Sequence, residues 1–210
     1  MIPPFQLYLF DVDGTLVDSA ADICGAVRQA LAERGIDGLE ERYLRRFIGH
    51  HLFDLFCEVL PGTSQAEQEQ LLARYRQIYL ARRHASTRVY PGVREMLAAL
   101  PGRKSTATTK SSETARQVLE LFGLGGYFDH VQGTDGFPSK PAPDVIFRSL
   151  EKFGVRPEDC LLVGDAAPDM EAGRRAGVRT CAVSWGYGDV EAMKALQPDY
   201  WISDPAALLS

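Results

Sequence analysis

The chain has 210 residues, 45% of them hydrophobic, enough for one large core or a core with a smaller second domain. A net charge of −5 excludes a bulk binder of nucleic acid or of an anionic membrane, so any positive charge for an anionic ligand must be local. Four cysteines (Cys24, Cys57, Cys160, Cys181) show no paired metal spacing, and no apolar run nears the roughly 20 residues of a bilayer span.

Cys160 and Cys181 sit in apolar runs and read as reduced core residues. The first residues carry neither a charged lead nor a signal-type apolar core, so the expectation is a cytoplasmic protein. No internal repeat or low-complexity segment is evident.

The run Leu7-Tyr8-Leu9-Phe10, bounded by charge, predicts a buried parallel strand. Asp11-Val12-Asp13-Gly14-Thr15 follows it directly. Residues two apart in extended chain point the same way, so Asp11 and Asp13 should leave the strand end on one side. Carboxylates that close repel unless a cation or a shared proton lies between them. Gly14 permits a sharp turn. The same residues also suit a surface turn, because Asp and Gly are ordinary turn residues.

From Asp18 to about Thr87 the pattern is helical. Ile23, Val27, Ala30 and Leu31 form one apolar stripe, which Gly35 can stop. Leu52, Leu55, Phe56 and Val59 form a second, closed by Pro61-Gly62. Leu71, Leu72, Tyr75, Ile78 and Tyr79 form a third, ending at Arg82-Arg83. No strand run interrupts them. After Tyr90-Pro91-Gly92 strands and helices alternate. Strands are expected at Ser105–Thr108, around Val131, at Cys160–Gly164, at Val178–Val183 and at Asp199–Ile202. Helices are expected around Ala115–Phe122, Ile146–Phe153 and Met170–Ala176. This alternation implies an α/β fold with a doubly wound parallel sheet. Residues 1–17 and 88–210 would form that core, and 18–87 an inserted helical cap domain. The junctions near Val17-Asp18 and Arg88-Val89-Tyr90 are natural hinges.

Ligands bind beyond the carboxyl ends of strands in such a sheet. Four strand ends offer chemistry in chain order. The first has Asp11 and Asp13, and the second Thr108, Thr109 and Lys110 before Ser111-Ser112 at a helix start. Hydroxyls, a lysine and free helix amides suit a phosphate. The third has Lys140, in Ser139-Lys140-Pro141-Ala142-Pro143-Asp144. The fourth has Asp165 and Asp169. Each group also has an ordinary role: strand threonine, solvated lysine, helix-capping aspartate. Their succession at strand ends argues for one shared site.

The set resembles the haloacid dehalogenase superfamily along the whole chain. Asp11-Val12-Asp13-Gly14-Thr15-Leu16 is similar to its first motif, Thr108 to its second, Lys140 in Lys-Pro-Ala-Pro-Asp to its third, and Gly164-Asp165 with Asp169 to its fourth. Pro91-Gly92-Val93 and Ser184-Trp185-Gly186-Tyr187-Gly188 are similar to the phosphoglycolate phosphatase-like branch. Two positions depart from that branch. Thr109 stands where Asn is usual, and Ala166-Ala167-Pro168 stands where Ser or Thr often follows the aspartate.

The resemblance implies a Mg²⁺-dependent phosphatase acting on a small phosphorylated metabolite such as 2-phosphoglycolate. Asp11 would be the nucleophile that forms an aspartyl-phosphate, and Asp13 the acid/base. Asp11, Asp165 and the backbone carbonyl of Asp13 would supply metal oxygens, with Asp169 acting through water. Thr108, Thr109 and Lys140 would hold the phosphoryl group. Thr15 would support the conformation of Asp13. The residues of the helical segment add their own candidates: Arg45 or Arg46 for a substrate carboxylate and His50 or His51 for a hydroxyl, although both arginines also suit a solvated face. A phosphomutase of the β-phosphoglucomutase type uses the same core. A non-catalytic phosphate-binding regulator is the alternative from another class. A dehalogenase is disfavoured, because that branch lacks the second aspartate.

Overall fold

In the computed structural model, residues 1–209 are described. A five-stranded sheet runs through the molecule in the order β4-β1-β5-β6-β7, with every neighbouring pair parallel. Its strands are β1 (Leu7–Phe10), β4 (Arg103–Thr106), β5 (Cys160–Gly164), β6 (Arg179–Val183) and β7 (Tyr200–Ile202). Strand β1 is buried throughout and sits between β4 and β5, with Leu7 opposite Arg103 on one side and Cys160 on the other.

Alternation along β1 divides the core. Tyr8 and Phe10 join a cluster with Val93, Leu97, Val118 and Val163. Leu7 and Leu9 join the opposite one with Val145, Ile146, Leu150 and Leu162. Helices α5 (Val93–Ala99) and α6 (Ser112–Leu121) therefore cover one face. Helices α7 (Asp144–Phe153) and α8 (Ala167–Ala176) cover the other. A strand buried on both faces explains the unbroken apolar run in the sequence. Each fully buried Leu or Phe contributes about 1.5–3 kcal/mol on transfer from water.

The helical segment has four helices: α1 (Ala20–Ala32), α2 (Glu41–Arg45), α3 (Leu52–Val59) and α4 (Gln65–Ala81). They enclose a hydrophobic cluster of their own around Val27, Leu31, Leu55, Phe56, Leu71 and Ile78. Strands β2 (Val17–Asp18) and β3 (Arg88–Val89) pair antiparallel where the chain leaves and re-enters the core, Val17 facing Val89. Below this ribbon, buried Asp22 accepts hydrogen bonds from the Ser86 amide (2.9 Å) and the Thr87 hydroxyl (2.8 Å), with Arg82 Nε 3.3 Å away.

Three expectations need correction. The strand before Thr108 is β4, which ends at Thr106 rather than Thr108. No strand forms around Val131; only a single bridge joins Ser105 to His130. Lys140 therefore reaches the site from the loop before α7, not from a strand end. A short helix α9 (Val190–Ala195) lies between β6 and β7. All four cysteines are free, and no described helix is long and apolar enough to cross a membrane.

Candidate active site

Asp11 and Asp13 lie just past the carboxyl end of β1, between β4 and β5, where the sheet order changes direction. They are 2% and 6% exposed, which excludes the surface-turn reading. Gly14 adopts φ +91°, and a Cβ there would lie 2.1 Å from Asp165 Oδ2. Both the turn and this close approach need glycine.

The two aspartates part company. Asp11 Oδ1 accepts from Lys140 Nζ at 2.7 Å, and the same ammonium reaches Asp169 Oδ1 at 2.5 Å. Asp13 instead accepts from the Ser19 hydroxyl at 2.5 Å on Oδ1 and pairs with Lys110 Nζ at 3.0 Å on Oδ2. Ser19 precedes α1 as its N-cap, yet its hydroxyl does not cap the helix, because it is turned to Asp13. The Tyr187 hydroxyl accepts from the Ser19 and Ala20 amides in its place, at 2.7 and 3.1 Å.

Asp165 follows β5. Its Oδ1 accepts from the Thr15 hydroxyl (2.9 Å) and its Oδ2 from the Tyr187 amide (2.9 Å). Thr15 thus orients Asp165, not Asp13. Asp169 sits in the first turn of α8 and accepts from the Ala166 amide at 3.1 Å, while Pro168 opens the helix beside it.

Carboxylate oxygens of Asp11, Asp165 and Asp169 lie within 4.8 Å of one another, all buried. Against them stands one ammonium, Lys140, so the ionised group carries two surplus negative charges. Burial pushes the Asp11 carboxyl up to about 7, with Lys140 opposing and Asp169 and Asp13 adding to the rise. Burial first, then Asp11 and Asp169, also raise Asp165 well above the usual carboxylate range. A divalent cation would cancel the surplus charge, and an all-oxygen donor set suits Mg²⁺. The residues present therefore fit that ion. The carboxylate of Asp13 is not part of the cluster, and that of Asp169 is.

Thr108 is buried, and its hydroxyl accepts from the Lys110 amide at 3.3 Å. Thr109, Lys110 and Ser111 line a cavity of about 320 Å³ between the sheet and the helical segment. His50 and His51 line it too, although His51 Nδ1 already accepts from the Phe53 amide at the start of α3 (3.2 Å). The structure does not bring Arg45 or Arg46 to this cavity. Arg45 pairs with Glu41 at 2.9 Å and stands over the Tyr187 ring, and Arg46 stands over Tyr43. Residues 41 and 45 are four apart on one helix face, a spacing that signals such a pair. The arginine at the cavity is Arg76, on α4. Sequence reasoning also missed Ser19 and Tyr187 as partners of the two carboxylate groups.

These features define an α/β protein with a buried acidic cluster at the switch point of its parallel sheet, and comparison with known proteins gives its family. The family model described as haloacid dehalogenase-like hydrolase matches residues 8–183. A phosphoglycolate phosphatase of Aquifex aeolicus is 34% identical over 208 residues, covering 97% of this chain and 95% of its own. A 5′-nucleotidase of Pseudomonas aeruginosa is 32% identical, covering 95% and 92%. A solved haloacid dehalogenase-like hydrolase of Streptococcus pneumoniae superposes with a TM-score of 0.88 at 27% identity, covering 98% and 97%. The chain belongs to the haloacid dehalogenase-like hydrolases, in their phosphatase branch.

Proposed function

We propose that this enzyme hydrolyses a small phosphomonoester with Mg²⁺ through an aspartyl-phosphate on Asp11, and that the helical segment is a cap over the site. The observation that carries this reading is the division of labour at the end of β1. Asp11 lies among Asp165, Asp169 and Lys140, whereas Asp13 points to Ser19, Lys110 and the cavity.

Mg²⁺ held by Asp11, Asp165 and the backbone carbonyl of Asp13, with Asp169 beside them, would neutralise charge on the transferring group. Asp11 attacks phosphorus, and the bond from phosphorus to the alcohol oxygen breaks. Asp13 gives its proton to the departing alkoxide. Asp13 then takes a proton from water, which attacks the phosphorus and releases Asp11 with inorganic phosphate. Thr108, Thr109 and Lys140 hold the phosphoryl oxygens, and Lys140 also keeps Asp11 oriented between turnovers. Relatives named phosphoglycolate phosphatase make 2-phosphoglycolate one candidate among such esters.

Hydrolysis of p-nitrophenyl phosphate should require Mg²⁺ and fall at least about a thousandfold in Asp11→Asn, as for a lost nucleophile. Full activity in that variant removes Asp11 from the role.

A further inference from the structure

The cavity lies on the Asp13 side of the site, which is where the leaving alcohol must sit if Asp13 protonates it. Asp11, Asp165 and Asp169 do not line it. At about 320 Å³ it falls in the range that houses whole drug-sized ligands, far more than a two-carbon alcohol fills. Its length agrees. Leu72, Arg76 and Leu80 line it from one row of α4, and eight residues of helix rise about 12 Å.

Its chemistry is amphipathic. Ile23, Phe47, Ile48, Leu72 and the stacked pair Tyr75 and Tyr79 give apolar and aromatic walls. Arg76, Glu113 and Gln117 give a polar margin where α4 faces α6. Two of these groups are uncommitted. Arg76 has no ion pair or hydrogen bond among the described residues. Tyr75 is only 8% exposed, and its hydroxyl has no hydrogen-bond partner among them either. Tyr79, by contrast, accepts from Lys110 Nζ at 3.2 Å.

Resting on the phosphatase reading, we infer that the preferred substrate is the phosphomonoester of a ring-bearing alcohol, its ring against Tyr75, Phe47 and Leu72 and its polar edge toward Arg76 and Gln117. A nucleoside has this shape: a flat ring with hydrogen-bonding edges and a hydroxylated sugar. A glycolate would leave the apolar walls and the Tyr75 hydroxyl without a partner.

The test is steady-state kinetics of the full chain with Mg²⁺ on nucleoside 5′-monophosphates, 2-phosphoglycolate and p-nitrophenyl phosphate. At least one nucleotide should exceed 2-phosphoglycolate in kcat/KM by about tenfold or more, the scale of a filled apolar pocket. Leu72→Trp, which narrows the cavity from its half-buried wall, should lower the nucleotide-to-glycolate ratio of kcat/KM by about tenfold. If 2-phosphoglycolate is preferred over every nucleotide, or the ratio does not move in Leu72→Trp, this inference falls and the phosphatase stands. If none of the three esters is turned over, the phosphatase reading falls and takes this one with it.

Discussion

Asp11 and Lys140 are counter-ions, both buried from solvent. Lys140 is 2% exposed and its ammonium is held well above its usual range, because Asp11 and Asp169 outweigh the burial that opposes it. Asp11 stays raised to about 7 despite this partner, since burial outweighs the lysine. The unfolded carboxyl titrates near 3.9. Between the two values the folded protein holds more protons, so stability falls as pH rises from about 4 to 7. Metal-free protein should show this decline in thermal melts, Asp11→Asn should lessen it while Asp165 maintains part of it, and Mg²⁺ should raise the melting temperature most at pH 7. A decline as steep in Asp11→Asn as in the wild type would show that other groups cause it. Asp13 answers to another environment, Ser19 and Lys110. Asp13→Asn should lower kcat by about 10²–10⁴-fold, the usual value of a proton-transfer group, with the fold intact by circular dichroism. Unchanged kcat would remove it from proton transfer.

Among the elements, helix α3 depends on a titratable cap. His51 Nδ1 accepts from the Phe53 amide, so it must be unprotonated to hold the first turn. Burial lowers its pKa, Asp54 on the helix opposes this, and Arg76 across the cavity adds to it. The unfolded histidine titrates near 6.5. Below that the unfolded chain binds the proton more readily, so the cap's contribution is complete above about pH 6.5 and fades in acid. Its size is about 1 kcal/mol, typical of an N-cap. His51→Asn keeps an acceptor without a proton to gain, so, with Mg²⁺ present throughout, its melting temperature should gain on the wild type's as pH falls from 7 to 5. An unchanged difference between variant and wild type would assign any acid sensitivity elsewhere, for instance to His84, whose pKa burial also lowers.

Element by element, legibility followed burial. Strands β1 and β5 are buried at every position, and their apolar runs announced them. The segment after His130 forms no strand because side chains supply most of its hydrogen bonds to β4. Thr106 Oγ1 donates to Gln132 O, and Thr134 Oγ1 to Thr108 O, so the chain runs beside β4 on side-chain hydrogen bonds and one bridge, without the backbone ladder of a strand. Gly133 lies so close that a Cβ would be 2.4 Å from Lys110 O. Helix α9 escaped notice because only Met193 is buried on it, which leaves no stripe to see. The positions of the acidic residues were plain because motifs are local. Which arginine faces the cavity was not, because Arg76 differs from Arg45 only in the packing of α4.

For the whole molecule, the question is what ties the helical segment to the site. Tyr187, in the loop after β6, touches both. Its amide donates to Asp165 Oδ2, and its hydroxyl donates to Asp18 Oδ1 at 2.6 Å while accepting from the Ser19 and Ala20 amides. One residue therefore links a carboxylate of the acidic cluster to the first turn of α1, beside the β2–β3 ribbon. Asp13 is bound into the same turn through Ser19, and Lys110 is bound to Tyr79 of α4. Under the proposed mechanism, movement of the helices about the ribbon would disturb Asp13 and so couple closure over a substrate to its readiness as acid/base. Tyr187→Phe removes the shared hydroxyl and leaves the amide on Asp165. It should cost about 1–3 kcal/mol through the helix amides left without their acceptor. Hydrogen exchange at Ser19 and Ala20 should quicken in that variant, and kcat should fall more than Mg²⁺ affinity. Unchanged exchange at both amides would show that the ribbon and the Asp22 contacts hold the junction without the tyrosine. Weakened Mg²⁺ binding with kcat preserved would place the residue's role at Asp165 instead of at the hinge.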